Sequence, residues 1–525
     1  MTDQPAQGGI ASTEALAAGG NNLAKKTVIG AAWLLAWRFL SRTLGIVSTV
    51  TLARVLVPED FGIVAMATTF AAAVEAFSEL GLQNALVRHT SHDRRLFDTA
   101  FTIQAGRAVI TGAFVAAAAP AASAWFNEPR LIPILLTLAA LSVVGGMENV
   151  GIVEFRRAMR FDVQFKLLLL PRLLGVCTTI SLAFLLQNYW ALLAGLAVSR
   201  VARTAMTYIV HPYRPGLSLT GWRELASFSL WTWALCIPSF IWDRADAFVL
   251  GPVIGPAQLG LYLLSLELAT LPMTEAVIPI SDALFSAFAS ANRTGINPIV
   301  HAPIVAASLV MILLPLIITL SCASSYVVGA LLGPKWAAAK DLIAILSWLC
   351  LFSPLSYVFS VVLIATGHLK RNFIGRVAVA AAKVVVLLLA VSATARLEVI
   401  AAVLAVTFVL ECCAYVFLIK GIGSVRIGPM MLALARALGA GALVVLLLHS
   451  LGLAWQDVSA VGVDAFLRGA LFGGCVAVLY GLLLSALWML VGRPDGPETR
   501  LFEIVEHRVQ VALRRLFRPK QDASL

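Results

Sequence analysis

Residues Leu52 to Val87 read LARVLVPEDFGIVAMATTFAAAVEAFSELGLQNALV, a short polar hairpin, VPEDFG, set between two long apolar runs. Nearly two hundred residues later the chain reads LGPVIGPAQLGLY. Leu52, Val55, Pro58 and Gly62 recur there as Leu250, Val253, Pro256 and Gly260, and Phe61 and Ile63 are answered by Leu259 and Leu261. A duplicated helix-hairpin-helix inside an apolar chain is the usual build of a two-lobed transporter.

Composition sets the class. Of 525 residues 60% are hydrophobic and 13% charged, with a mean hydropathy of +0.89, which is too apolar for a soluble domain. The chain is expected to be an all-α polytopic membrane protein. Residues 1–24 are rich in Gly, Ala and Asn and read as a disordered cytoplasmic segment. The first hydrophobic run exceeds a signal-peptide core and has no convincing cleavage site after it, so it is expected to stay in the mature protein. All seven cysteines fall inside apolar runs, which points to small buried side chains rather than disulfides or a metal cluster.

A helix crosses about 30 Å of hydrocarbon in about 20 residues. Fourteen such runs are readable: 28–50, 61–82, 99–125, 130–152, 167–187, 189–211, 225–250, 256–282, 299–322, 341–366, 374–394, 397–420, 431–451 and 465–491. They are continuous and do not alternate with period two, so helices rather than a barrel are required. Loops after even-numbered spans hold fourteen Lys and Arg against five after odd-numbered ones. The positive-inside bias therefore places both termini in the cytoplasm, and the net charge of +11 faces anionic headgroups rather than nucleic acid. Spans 1 and 7 then start on the same side, so the two copies are parallel. The expected organisation is an N-lobe of spans 1–6 over 25–211, a C-lobe of spans 7–12 over 212–420 and peripheral spans 13 and 14 over 421–491. A cytoplasmic tail over 492–525 reads as an amphipathic helix on the inner leaflet.

The passages LARVLVPEDFGIVAMATTF, GLQNALVRHTSHD, DAFVLGPVIGPAQLGLY, LLGPKW and IATGHLKRN resemble the Wzx-type polysaccharide exporters, especially their WzxC-like branch. That group belongs to the superfamily of lipid II flippases and multidrug and toxin extruders, and the likeness runs from about Lys25 to Lys420. It implies two six-helix lobes around a central cavity, alternating between faces of a bacterial inner membrane. The implied cargo is an undecaprenyl-pyrophosphate-linked oligosaccharide bound for exopolysaccharide, O-antigen or capsule. The implied partners are membrane lipids and the polysaccharide polymerase and export machinery.

Such a cargo needs cations at membrane depth, where charge is costly unless it faces water or a partner. Arg38 and Arg42 in span 1 share a face at i and i+4, suited to clamping a diphosphate, or to pairing with Glu75 and Glu79, likewise spaced in span 2. In span 7, Asp243 and Asp246 lie on one side and Arg244 on the other. Arg244 reads as a phosphate contact, Asp243 as a coupling or gating group and Asp246 as a structural salt bridge. Glu267, Glu275 and Asp282 share a stripe of span 8, of which Glu267 and Glu275 complete the coupling and gating set. Lys383 and Glu411 read as an internal pair. Arg107, Arg200, Arg203, Arg376 and Arg436 lie near enough to span ends to snorkel and are set aside.

Catalysis finds no support. There is no Walker-A pattern, no metal-ligand cluster, no cofactor motif and no loop long enough for a catalytic domain. The alternative is an ion-coupled small-molecule or multidrug antiporter of the same superfamily, which predicts an acidic, aromatic-lined cavity.

Overall fold

Pro58 opens the second helix where its missing N–H costs nothing, and Asp60 reaches back to accept the Val57 N–H at 3.2 Å, a reciprocal cap that fixes the turn after Val55. This hairpin joins α1 (Gly8–Val55) to α2 (Pro58–Ser78). The computed structural model describes residues 8–78, 86, 93–422, 425, 427–457, 460–494 and 496–499. Glu79 and the tail 500–525 lie outside them. No strand occurs among the described residues. The helix already runs at Gly8, so the part of 1–24 that is described is helical.

The chain divides into two compact units: Met1–Phe240 with Gly255–Ala257, and Ile241–Ile254 with Gln258–Leu525. In the first, α3 (Arg94–Phe126) packs on α4 (Leu131–Gly146), which bends by 60° into the short α5 (Val153–Arg157). Next come α6 (Phe161–Leu186) and α7 (Trp190–Val210), the closest pair in the unit. Their approach rests on small residues: a Cβ on Gly195 would lie 1.6 Å from Thr179 Oγ1 and 2.8 Å from the Gly175 carbonyl oxygen. Helix α1 lies along α6, with Trp33 and Phe165 ring centroids 4.9 Å apart.

The segment after α7 stays bound to this unit. Asp98 on α3 accepts the Tyr213 hydroxyl at 2.5 Å and the Gly216 N–H at 2.8 Å, while Thr102 accepts from Ser218 N–H at 2.9 Å. These bonds carry the first unit past residue 211.

Helix α8 (Trp222–Ala269) holds both of the spans expected at 225–250 and 256–282 up to Ala269. It breaks at Gly255, whose φ of 76° and ψ of 172° lie in a region open essentially to glycine. A π-helical turn, Met273–Val277, and α9 (Ile278–Arg293) follow.

The core of the second unit is built around α10 (Ala302–Cys322). Val310, Leu314 and Ile317 are buried against Val358, Phe359 and Val362 of α12 (Ser353–Ala365), which follows the short α11 (Ala339–Leu346). Helices α13 (Leu369–Ala393) and α14 (Leu397–Lys420) pair beside them. Helix α15 (Gly428–Ser450) was expected to be peripheral, but it joins this core. Ala433, Ala437, Ala440 and Gly441 form a small-residue stripe that lets it approach α10 closely. Helix α16 (Val463–Leu490) has 11% of its apolar window buried, yet Val476 and Tyr480 belong to the same core.

Ten described helices are long and apolar enough to cross a membrane, or eleven if the bent α4–α5 pair is one span, against the fourteen spans expected. Helix α7, with Arg200 and Arg203 in it, is not among the ten. Large exposed side chains such as Ile110, Leu185, Leu389, Leu471 and Leu482 cover the helices' outer faces, as a lipid-facing surface requires.

Candidate functional site

Three helices of the first unit each turn one face toward a shared cavity of about 320 Å³. Helix α2 supplies Thr68, Ala71, Ala72 and Glu75, α4 supplies Ser142 beside two leucines, and α7 supplies Ser199, Arg200 and Arg203. The spacings are i, i+3, i+4 and i+7, so each set is one helical stripe. Glu75 Oε1 accepts the Ser142 hydroxyl at 2.7 Å and lies 3.5 Å from Arg200 Nη2. Arg203 Nε donates to buried Glu148 at 2.9 Å. Room for Arg200 comes from Gly145, where a Cβ would stand 2.6 Å from its Nε. One turn along α2, Ser78 accepts from Arg107 at 3.3 Å and from Thr111 at 3.1 Å.

These arginines correct the snorkelling expectation. Arg200 is the eleventh residue of the twenty-one in α7, so it is mid-helix, and it turns to a carboxylate rather than to the interface. Arg107 likewise turns to α2. Glu75, expected near Arg38 and Arg42, takes Ser142 and Arg200. On α1, Arg38 is exposed and Arg42 half-buried.

The second unit holds a dry ion pair. Lys383 of α13 and Asp246 of α8 lie 3.0 Å apart with side chains 6% and 5% exposed. Lys383 also donates to the Trp242 carbonyl at 2.7 Å and sits 4.8 Å over the Trp242 ring, while Tyr262 donates to Asp246 at 3.2 Å. Asp246 is thus structural, as expected, but Lys383 does not pair with Glu411. Glu411 is hydrogen-bonded to Ser356 and attracted by Arg376 and, more weakly, by Lys383. Arg436 is no snorkelling residue either; it donates to fully buried Glu498 at 2.6 Å. Asp243, Arg244, Glu267 and Glu275 are exposed. Of these, Asp243 lies close enough to the Lys383–Asp246 pair to interact with both of its charges.

Beyond the spans of the first unit, Arg130 grips Glu128 with two bonds, at 2.7 and 2.8 Å, and reaches Glu59 of the hairpin. The Arg130 guanidinium holds the Glu128 carboxyl below its ordinary value of 4.5, against the opposing effect of burial.

Half-buried and buried charges on small-residue helix crossings in a multi-pass bundle fit a membrane transporter. The sequence profile of the family described as polysaccharide biosynthesis protein matches residues 51–341, more than half of the chain. The chain belongs to that family. It is 24% identical over 337 residues to the lipopolysaccharide biosynthesis protein WzxC of Escherichia coli, covering 63% of this chain and 67% of that one. It is 27% identical over 262 residues to the succinoglycan biosynthesis transport protein ExoT of Rhizobium meliloti, 48% of this chain and about half (53%) of the relative.

Among solved structures, lipid II flippase MurJ in an inward closed conformation superposes with a TM-score of 0.66 at 12% identity, over 87% of this chain and 98% of that one. An inward-facing multidrug resistance MATE family transporter of the MOP superfamily gives 0.55 at 13%, over 75% and 95%. The fold is like that of these two structures, and the resemblance to Wzx-type exporters holds.

Proposed function

We propose that the chain is a flippase of a bacterial inner membrane, with both termini cytoplasmic. It carries a polyprenyl-pyrophosphate-linked oligosaccharide from the cytoplasmic to the periplasmic leaflet for exopolysaccharide, O-antigen or capsule assembly. The two lobes act by alternating access, and the polymerase and export machinery take the product. The observation that supports this reading is the pair Arg200 and Arg203 beside the cavity of the first unit, with Arg38 and Arg42 on α1, on stretches read from the sequence as spans 6 and 1 of a chain of the polysaccharide biosynthesis family. A diphosphate needs cations at membrane depth, and a guanidinium matches phosphate oxygens in pairs.

In this reading Arg38, Arg42 and Arg244 contact the diphosphate, and Glu75, Glu79, Asp243, Glu267 and Glu275 act in coupling or gating. Reconstitution with a labelled lipid-linked oligosaccharide tests it. Native protein is expected to translocate the label, and Arg38→Ala and Arg42→Ala to slow it at least tenfold. Native rates in both variants overturn the arginine assignment, and no translocation by native protein overturns the function.

A further inference from the structure

Arg200 is held loosely. Among the described residues its one carboxylate hydrogen bond is 3.5 Å long, at the outer limit of such a bond, both partners are more than a third exposed, and Glu148 adds only a through-space attraction. A guanidinium carries five donors in a planar fork, so a single long contact leaves it poorly matched. The cavity beside it is lined with the hydroxyls of Thr68, Ser142 and Ser199 and the second guanidinium of Arg203. Its charges balance as they stand, Glu75 and Glu148 against Arg200 and Arg203. With the Glu75 carboxylate swung out, the balance becomes +1. A phosphoryl group esterified on both sides carries one negative charge and offers two free oxygens to a fork-shaped donor.

We propose that this cavity is a phosphoryl-binding site occupied by its own carboxylate. Glu75 stands where an oxygen anion of the ligand goes, on Ser142 and Arg200, and a phosphate diester displaces it. The site gives the gating role of Glu75 a physical form: α2 is drawn to α4 and α7 while the carboxylate is in, and ligand binding releases it. The volume, about 320 Å³, lies at the lower end of small-ligand sites, enough for a phosphoryl headgroup but not for a glycan. Identification of the ligand as the diphosphate of the cargo rests on the function proposed above. The site itself does not.

The test is equilibrium binding of inorganic pyrophosphate to the full-length protein in nanodiscs, with thermal unfolding as a folding control. Glu75→Gln, which removes the competing charge, is expected to bind at least tenfold more tightly than native protein. Arg200→Gln is expected to bind at least tenfold more weakly, with Arg200→Lys between the two. Equal or weaker binding by Glu75→Gln overturns the displacement, and native binding by folded Arg200→Gln or Arg200→Lys overturns the site. Competition by polyprenyl pyrophosphate but not by phosphatidylglycerol assigns the site to cargo. Competition by both assigns it to phospholipid headgroups. Translocation is scored separately. Native transport with an Arg200→Gln variant normal in both assays sinks this inference alone. Arginine-dependent pyrophosphate binding without native transport sinks the flippase reading and leaves the site.

Discussion

The two units each hold an acid–base pair inside a helix bundle, and the pairs are opposites. Lys383–Asp246 is 3.0 Å long, sealed, and surrounded by a carbonyl, a hydroxyl and an indole face. Glu75–Arg200 is 3.5 Å long, open to a cavity, and shares its carboxylate with one serine. A sealed pair cannot lose one partner without stranding a charge in low dielectric, whereas water takes over for either partner of an open one. The difference teaches which charges hold the bundle together and which are available for exchange.

The comparison is broken most directly at Lys383. Lys383→Met strands Asp246 and is expected to cost about 3–5 kcal/mol, and pairing it with Asp246→Leu should restore most of that loss. Equilibrium unfolding in mixed micelles reads both, and a double variant no better than the single one removes the sealed-pair account. Tyr262→Phe leaves the pair intact but deletes a donor to its carboxylate, for about 1 kcal/mol in the same assay.

Arg130–Glu128 sharpens the contrast, because it is bidentate like a good pair yet half-exposed on the arginine side. Arg130→Gln should cost about 0.5 kcal/mol near neutral pH. Because the folded Glu128 carboxyl titrates below its ordinary 4.5, its contribution is full above that value and lost as pH falls through the lower folded one. The native–variant difference should therefore vanish in acid, and a difference that grows there would refute the assignment. The smallest effect is expected at Glu75→Gln, within about 0.5 kcal/mol of native stability, since water replaces what the carboxylate loses.

Much of the bundle was legible from the chain because run length and apolar content are direct consequences of crossing hydrocarbon. Most expected spans fall on a helix, although 256–282 and 341–366 are each broken, and the VPEDFG hairpin is set by Pro58 and Asp60, both local signals. The failures are contacts between distant helices. Lys383 was matched with Glu411 because both are deep, but depth does not say which face meets which, and Asp246 lies 137 positions away. Arg200 and Arg203 read as snorkelling residues because the sequence puts them near a span end. The signal that would have kept them is their i, i+3 spacing in the middle of a helix, with Ser199 alongside. Span 13 was placed outside for want of a repeat partner, although its alanine stripe announces a close-packed face.

Gly255 breaks a helix of 48 residues without crowding, for a Cβ placed there meets nothing within 4 Å. The break is therefore specified by chirality alone. An L-alanine would be driven from this conformation at a cost of about 1–3 kcal/mol. Its mirror image, D-alanine introduced by semisynthesis, finds the same dihedral angles comfortable, so it should keep the bend and stiffen it.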